Sequence, residues 1–115
     1  MDLLFVYGTL RSEFDNDHAR LLRSQAERIG SASVPGAIFL VAHYPAYRPE
    51  PRGEVRGEVY RLENPEAIFR ILDEYEAPAF ERVWQPDPGP GFWLYRFTTQ
   101  PPEKSRIESG DFCRR

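Results

Sequence analysis

The sequence predicts a single α+β domain in which a mixed sheet or a small barrel is flanked by two helices. The chain has 115 residues, a length typical of one domain with one hydrophobic core. About five short apolar runs typical of strands and two helical segments follow one another without a regular βαβ repeat. Eight glycines and eleven prolines indicate many turns and argue against a helical bundle.

The first half of the chain predicts two strands and one helix. Residues 3–7 form a continuous apolar run, as expected of a strand buried on both faces. Residues 15–17 offer caps for a helix that continues to about Gln25, and the glycine-containing segment 30–36 is expected to form turns. A second apolar strand covers residues 37–41, and the Pro-rich segment 43–53 is expected to be a loop.

The second half predicts three further strands and a well-marked helix. Residues 55–62 show a partial alternation of apolar and polar residues, which predicts a strand. The sequence Asn64-Pro65 then provides an N-cap followed by proline at the first helical position, and Pro78 is a stop signal. Two more strands are expected at residues 80–84 and 92–98.

The whole chain, residues 1–115, is therefore expected to form one domain. Its tail, residues 103–115, is predicted to pack weakly except where Ile107 and Phe112 anchor it.

Composition and missing motifs exclude several functional classes. The net charge of −3 lacks the basic excess of a nucleic-acid binder, and no apolar run reaches the roughly 18 residues of a membrane span. Cys113 is the sole cysteine, which excludes an internal disulfide and favours a reducing, cytoplasmic compartment. No metal-ligand spacing and no nucleotide-binding loop occurs, so we expect no metal and no cofactor. The oligomeric state stays open.

Glu76 is the carboxylate that helix geometry places near the core. At about 100° per residue, it falls within the apolar stripe of its helix, whereas Asp73 and Glu74 lie more than about 120° from the centre of that stripe. Desolvation, two nearby like charges and the negative end of the helix dipole would all raise its pKa, which suits a general acid/base. The alternative is that the helix ends at Tyr75 and that Glu76 turns into solvent beside Arg82.

A turn follows the first strand at Tyr7-Gly8-Thr9-Leu10. Successive backbone N–H groups in such a turn can bind a carboxylate or a developing oxyanion. The pattern alone favours an ordinary structural turn, because an aromatic-Gly-Thr sequence is common at the end of a strand.

A series of blocks in a fixed order carries a family resemblance. The blocks are VYGTLR at 6–11, VPG at 34–36, YPA at 44–46, VRGEVYRL at 55–62, LDEYE at 72–76, FERV at 80–83 and WLY at 93–95. Together they resemble the γ-glutamylcyclotransferase-like family, in its AIG2-like branch that includes γ-glutamylamine cyclotransferases. Two positions depart from the usual pattern: Ala77 and Ala46 stand where glycine is common in relatives.

The resemblance implies a small mixed β-barrel with flanking helices, no cofactor, and release of 5-oxoproline from a small γ-glutamyl substrate. It places the acid/base role on Glu76. It also places substrate binding on the turn of Tyr7, Gly8, Thr9 and Leu10, with Tyr44 and Tyr95 in the pocket wall and Arg82 available to meet a carboxylate.

In the implied reaction the α-amine of the substrate attacks its own γ-carbonyl group, while Glu76 moves the proton and the turn stabilises the oxyanion. Two alternatives stay open. One is a non-catalytic module that binds a small ligand or a protein, and the other is acyl transfer or hydrolysis of another amide. The loops at 44–53 and 86–91 are expected to set specificity.

Overall fold

The structure, a computed structural model, describes residues 2–114. Its strands are β1 (Leu3–Val6), β2 (Ala26–Pro35), β3 (Ala37–Val41), β4 (Tyr44–Arg48), β5 (Glu54–Leu62), β6 (Phe80–Gln85) and β7 (Phe92–Phe97). Its helices are α1 (Asp17–Gln25) and α2 (Pro65–Glu76), and two short 3₁₀ helices cover Glu103–Ser105 and Phe112–Arg114. The predicted α+β class is confirmed. No helix within residues 2–114 is long and apolar enough to cross a membrane.

The strands form two sheets. A five-stranded sheet has the order β2-β5-β1-β7-β6, and β3 pairs with β4 in a separate hairpin. β1 lies at the centre, antiparallel to β5 and parallel to β7. The expected barrel is not closed within residues 2–114, because β2 and β6 remain the two edges of the large sheet and the hairpin strands pair only with each other.

The central strand β1 is buried on both faces, as its apolar run predicts. Leu4 and Val6 pack in one cluster with residues of α1 and α2. Phe5 and the following Tyr7 pack in another cluster with residues of the hairpin and of the tail. The helices therefore cover one face of the large sheet, and the hairpin and tail cover the other.

Both predicted helix starts are confirmed. The Asn16 side chain accepts a hydrogen bond from the Ala19 N–H group at 2.8 Å, and the Asn64 side chain accepts one from the Ala67 N–H group at 3.4 Å. α2 extends through Glu76, as the predicted position of this residue in the apolar stripe of the helix requires.

Two strands occupy segments that the sequence assigned to turns and loops. The segment 30–36 belongs mostly to β2, which pairs along its length with β5. The start of the predicted loop 43–53 is β4, where Pro45, Ala46 and Tyr47 are buried. A proline is tolerated there because each strand of a two-stranded hairpin has a free edge.

The tail packs more tightly than the sequence indicates. The Ile107 N–H group donates to the Ile38 carbonyl group at 2.9 Å, and the Arg56 N–H group donates to the Gly110 carbonyl group at 2.8 Å. Phe112 is only 2% exposed. These contacts join distant segments, so the local pattern of a polar tail could not reveal them. Arg115 lies outside the described residues.

Truncating the tail anchor is expected to weaken the whole domain. Phe112→Ala should lower the free energy of unfolding by about 3–5 kcal/mol, because it removes a fully buried ring and leaves a cavity. Urea denaturation measures this loss. Cys113→Ala, a change at the exposed neighbouring side chain, should stay within about 0.5 kcal/mol of the parent protein. Equal stability of the two variants would contradict a packed tail.

Candidate active site

A cavity of about 420 Å³ opens beside the C-terminal end of β1, a size typical of small-molecule sites. Seven of the residues singled out from the sequence line it: Tyr7, Gly8, Thr9, Leu10, Tyr44, Glu76 and Tyr95. Nine further residues complete the wall, and the sequence had not marked them as site residues: Phe5, Val6, Asn16, His43, Pro45, Tyr75, Ala77, Ala79 and Phe80. Most of these are adjacent in sequence to a predicted site residue. The Pro-rich turn at 86–91 does not line the cavity.

Glu76 is the last residue of α2 and points its partly buried carboxyl group into this cavity. Burial raises the pKa of Glu76 from 4.5 to about 7. No hydrogen bond or ion pair to this side chain occurs within residues 2–114. Burial, one of the three causes that the sequence suggested, accounts for the raised pKa. Near neutral pH such a group exchanges a proton readily.

The neighbouring carboxylate of Asp73 is bound on two sides. Arg82 donates to its two oxygens at 3.0 and 3.1 Å, and the Tyr95 hydroxyl group donates to Oδ1 at 2.7 Å. Burial disfavours the charged form of Asp73, but these hydrogen bonds outweigh it and hold the pKa below its ordinary value. Burial, together with the hydrogen bond to Asp73, raises the pKa of Tyr95.

Arg82 does not line the cavity, so the structure gives no support to the expectation that it meets a substrate carboxylate. Its guanidinium group lies 3.9 Å from the centroid of the Phe69 ring and 4.8 Å from that of Trp93. With Asp73 bound on one edge and two rings packed against it, Arg82 has a structural role. It pairs with Asp73 rather than with Glu76, which also removes the alternative in which Glu76 turns toward Arg82.

The turn after β1 lines the cavity. Within residues 2–114 no protein group accepts from the N–H groups of Gly8, Thr9 or Leu10, whereas the Arg11 N–H group closes the turn on the Gly8 carbonyl group at 3.0 Å. A Cβ atom on Gly8 would lie 2.6 Å from Pro45 Cγ. Glycine is therefore needed for the turn to pack against the hairpin.

The Tyr7 side chain ties this turn to two other strands. Its hydroxyl group donates to the Tyr95 carbonyl group at 2.6 Å and accepts from the Tyr47 N–H group at 3.3 Å. Burial raises the pKa of Tyr7 well above its ordinary value, and the nearby charge of Glu76 adds to the rise. The phenol is neutral and fully used in structural hydrogen bonds.

Residues just beyond the turn are held by carboxylates. Glu58 of β5, 2% exposed, accepts from both the N–H and the hydroxyl group of Ser12 at 2.7 Å each and from Arg28 at 3.2 Å. Burial opposes ionisation of Glu58, but these hydrogen bonds prevail and lower its pKa. Glu58 was not among the site residues predicted from the sequence. The signal was available as an acidic residue inside an otherwise buried stretch of a strand.

Arg11 and Asn16 provide two further attachments. Arg11 is 8% exposed and donates to the buried carboxylate of Asp111 at 2.8 Å, so the tail reaches the turn. Asn16 donates from Nδ2 to the Thr9 carbonyl group at 2.8 Å while its Oδ1 caps α1. Among residues 2–114 there is no group of three or more metal-ligating side chains that could hold an ion.

Comparison with known proteins identifies the family. Residues 4–114 match the family model described as gamma-glutamyl cyclotransferase, AIG2-like, so the resemblance is confirmed. The chain is 32% identical over 115 residues to the gamma-glutamylcyclotransferase family protein YtfP of Escherichia coli K12, with 97% of this chain and 96% of YtfP covered.

Solved structures give the same result. The solution structure of ytfP from Escherichia coli is 31% identical, with a TM-score of 0.68 and coverage of 95% of this chain and 94% of that one. The crystal structure of an AIG2-like protein from Mus musculus is 26% identical, with a TM-score of 0.70 and coverage of 90% and 81%.

Neutralising Glu76 is expected to stabilise the fold in a pH-dependent manner. Because its pKa is about 7 in the folded protein against 4.5 ordinarily, the folded state holds the proton more tightly, and stability falls as pH rises from about 4.5 through about 7. Glu76→Gln should therefore raise the free energy of unfolding by about 2 kcal/mol at pH 8 and leave it nearly unchanged at pH 4.

Urea denaturation at the two pH values measures this difference. Glu74→Gln, at an exposed position two residues earlier, is the matched control and should change stability by less than about 0.5 kcal/mol at either pH. A Glu76→Gln effect that is the same at pH 4 and pH 8 would show that its carboxyl group is not desolvated.

Neutralising Glu58 should lower the free energy of unfolding, whereas neutralising Glu76 should raise it. Its lowered pKa means that its contribution to stability is present above about pH 4.5 and is lost as pH falls through the folded-state pKa. Glu58→Gln should cost about 2–3 kcal/mol at pH 7, because charge-assisted hydrogen bonds to Ser12 are weakened, and less at pH 3. Glu54→Gln, at an exposed position on the same strand, is the control. An unchanged free energy of unfolding for Glu58→Gln at pH 7 would contradict this role.

Proposed function

Since the chain belongs to the gamma-glutamyl cyclotransferase, AIG2-like family, we propose that it cyclises a γ-glutamyl amine or amide to 5-oxoproline and a free amine. The observation that carries the proposal is the meeting of two features in one cavity. A carboxyl group with a pKa of about 7 lines the same space as three backbone N–H donors, and none of these groups has a hydrogen-bond partner within residues 2–114.

The nucleophile in this reaction is the α-amine of the substrate. It attacks the γ-carbonyl carbon, a C–N bond forms to close a five-membered ring, and the C–N bond to the leaving amine breaks. The α-ammonium nitrogen loses two protons as it becomes the N–H group of the ring. One is released to solvent and the other passes to the leaving amine, and no other reactant enters. Because both reacting groups belong to one molecule, a large effective molarity is available once the substrate is held in a bent conformation. The step calls for no cofactor.

Glu76 is the group that moves the proton. As a carboxylate it takes the proton from the α-ammonium group, and as a carboxylic acid it returns that proton to the departing nitrogen. A group that serves in both forms works best when its pKa lies near the working pH. The burial that raises the pKa of Glu76 to about 7 supports this dual role, and the binding of Asp73 by Arg82 leaves Glu76 as the carboxyl group with a free oxygen in the cavity.

The turn of Gly8, Thr9 and Leu10 would stabilise the oxyanion that forms on the γ-carbonyl oxygen. Donors fixed before the reaction need no reorganisation when the charge develops. The attachments through Glu58, Asp111 and Asn16 supply that fixed geometry. A small γ-glutamyl compound is thus the proposed partner, and the single cysteine of the sequence fits action in a reducing, cytoplasmic compartment.

The proposal is tested by incubating the protein with γ-glutamyl ethylamide and measuring 5-oxoproline. We expect release that rises with pH through about 7 as Glu76 ionises. Glu76→Gln should lower kcat/KM by about 10²- to 10⁴-fold, whereas the control Glu74→Gln should retain it. The α-N-acetyl derivative should be inert because its nitrogen cannot attack.

Unchanged turnover by Glu76→Gln would remove the assigned role. Saturable binding of γ-glutamyl compounds, seen as a thermal shift without any 5-oxoproline, would instead identify a non-catalytic binding module.

A further inference from the structure

The mouth of the cavity suggests which amines the protein releases. Resting on the proposed function, we propose that the leaving-amine end of the substrate binds between the aromatic side chains of Tyr44, Tyr75 and Phe80. This subsite, the aromatic mouth, would favour an amine that carries a ring and no carboxylate, that is, an arylalkylamine.

One part of the aromatic mouth comes from the helices. Tyr75 directly precedes Glu76 in the last turn of α2 and lines the cavity. Its side chain is 46% exposed, so the ring is accessible to a ligand that enters the cavity. The ring is nevertheless fixed, since it stacks on His18 of α1 with centroids 3.6 Å apart and planes 18° from parallel. It offers a preoriented surface next to the reacting groups.

The other part comes from the sheets. The Tyr44 ring at the start of β4 lies 5.7 Å from the Phe80 ring of β6, and Phe80 in turn packs against Phe97 at 5.2 Å. His43 packs edge-on against Tyr44 at 5.8 Å. A chain of ring contacts therefore holds Tyr44 and Phe80 at the cavity, where an added ring gains further apolar and edge-to-face contact.

The charges of the lining oppose a carboxylate on the leaving group. Within residues 2–114 the cavity wall contains no lysine or arginine, and its one carboxyl group is Glu76. Arg82 is already bound by Asp73. The one basic side chain of the wall within residues 2–114 is His43, which packs edge-on against Tyr44. A substrate carboxylate placed at the mouth would lose water without gaining a lysine or arginine partner, and it would lie near the carboxyl group of Glu76. The backbone donors of the turn are used by the γ-glutamyl group itself.

A set of four substrates separates the effects of the ring and of the carboxylate. They are the γ-glutamyl derivatives of phenethylamine, phenylalanine, ethylamine and alanine. We expect kcat/KM for the phenethylamide to exceed that for the ethylamide by about tenfold or more, as the burial of a ring predicts. It should also exceed that for the phenylalanine derivative by about tenfold or more, because the carboxylate stays unpaired.

Variants test whether the preference for the phenethylamide depends on the aromatic mouth. Tyr75→Ala and Tyr44→Ala should each lower the ratio of phenethylamide to ethylamide turnover toward one. Trp84→Ala is the matched control, because Trp84 is a 45% exposed aromatic residue of β6 that is absent from the cavity wall. It should leave the ratio unchanged.

The outcomes distinguish the two proposals. If none of the four compounds yields 5-oxoproline, the proposed function fails and this inference fails with it. If the ethylamide or the alanine derivative is used as well as the phenethylamide, the aromatic mouth is overturned while cyclisation stands. A preference for the phenethylamide that survives in both tyrosine variants also overturns the inference.

Discussion

Two buried carboxylates determine where the backbone donors of the candidate site lie. Glu58 binds Ser12 from the neighbouring strand β5, and Asp111 binds Arg11 from the tail. Both partners come immediately after the turn that follows β1. Charged groups in a protein interior are stable only when they are paired and hydrogen-bonded, and here each carboxylate gains its partners from that segment. The turn is therefore held from two directions, while its own N–H groups at Gly8, Thr9 and Leu10 find no acceptor in the described part of the chain.

Two carboxyl groups of α2 show how the fold shifts the pKa of similar side chains in opposite directions. Asp73 is bound by Arg82 and Tyr95, and its pKa is lowered. Glu76, three residues later, is partly buried and has no such partners among residues 2–114, and its pKa is raised to about 7. Titratable groups whose environments separate their pKa values are typical of acid/base sites. Because Arg82 is fully engaged by Asp73 and by two aromatic rings, its charge does not lower the pKa of Glu76.

The parts of this fold that depend on local sequence could be predicted, and those that depend on distant partners could not. The caps at Asn16 and Asn64 and the orientation of Glu76 follow from neighbouring residues and helix periodicity. β2 lacks a regular apolar alternation because it is an edge strand, and its register is set by β5. The engagement of Arg82 and the burial of the tail likewise arise from contacts between segments that are far apart in sequence.

The unpaired groups in the cavity have an energetic consequence. A desolvated carboxyl group and three N–H groups without protein acceptors are unfavourable in the folded state, and the surrounding structure must hold them in place. The ordered neighbours do this: Tyr7 joins two strands through its hydroxyl group, and Asn16 binds the turn and caps a helix at once. A ligand with an ammonium group for Glu76 and oxygen atoms for the turn would satisfy these groups together. Such complementarity explains why these particular groups lie together at the C-terminal end of β1.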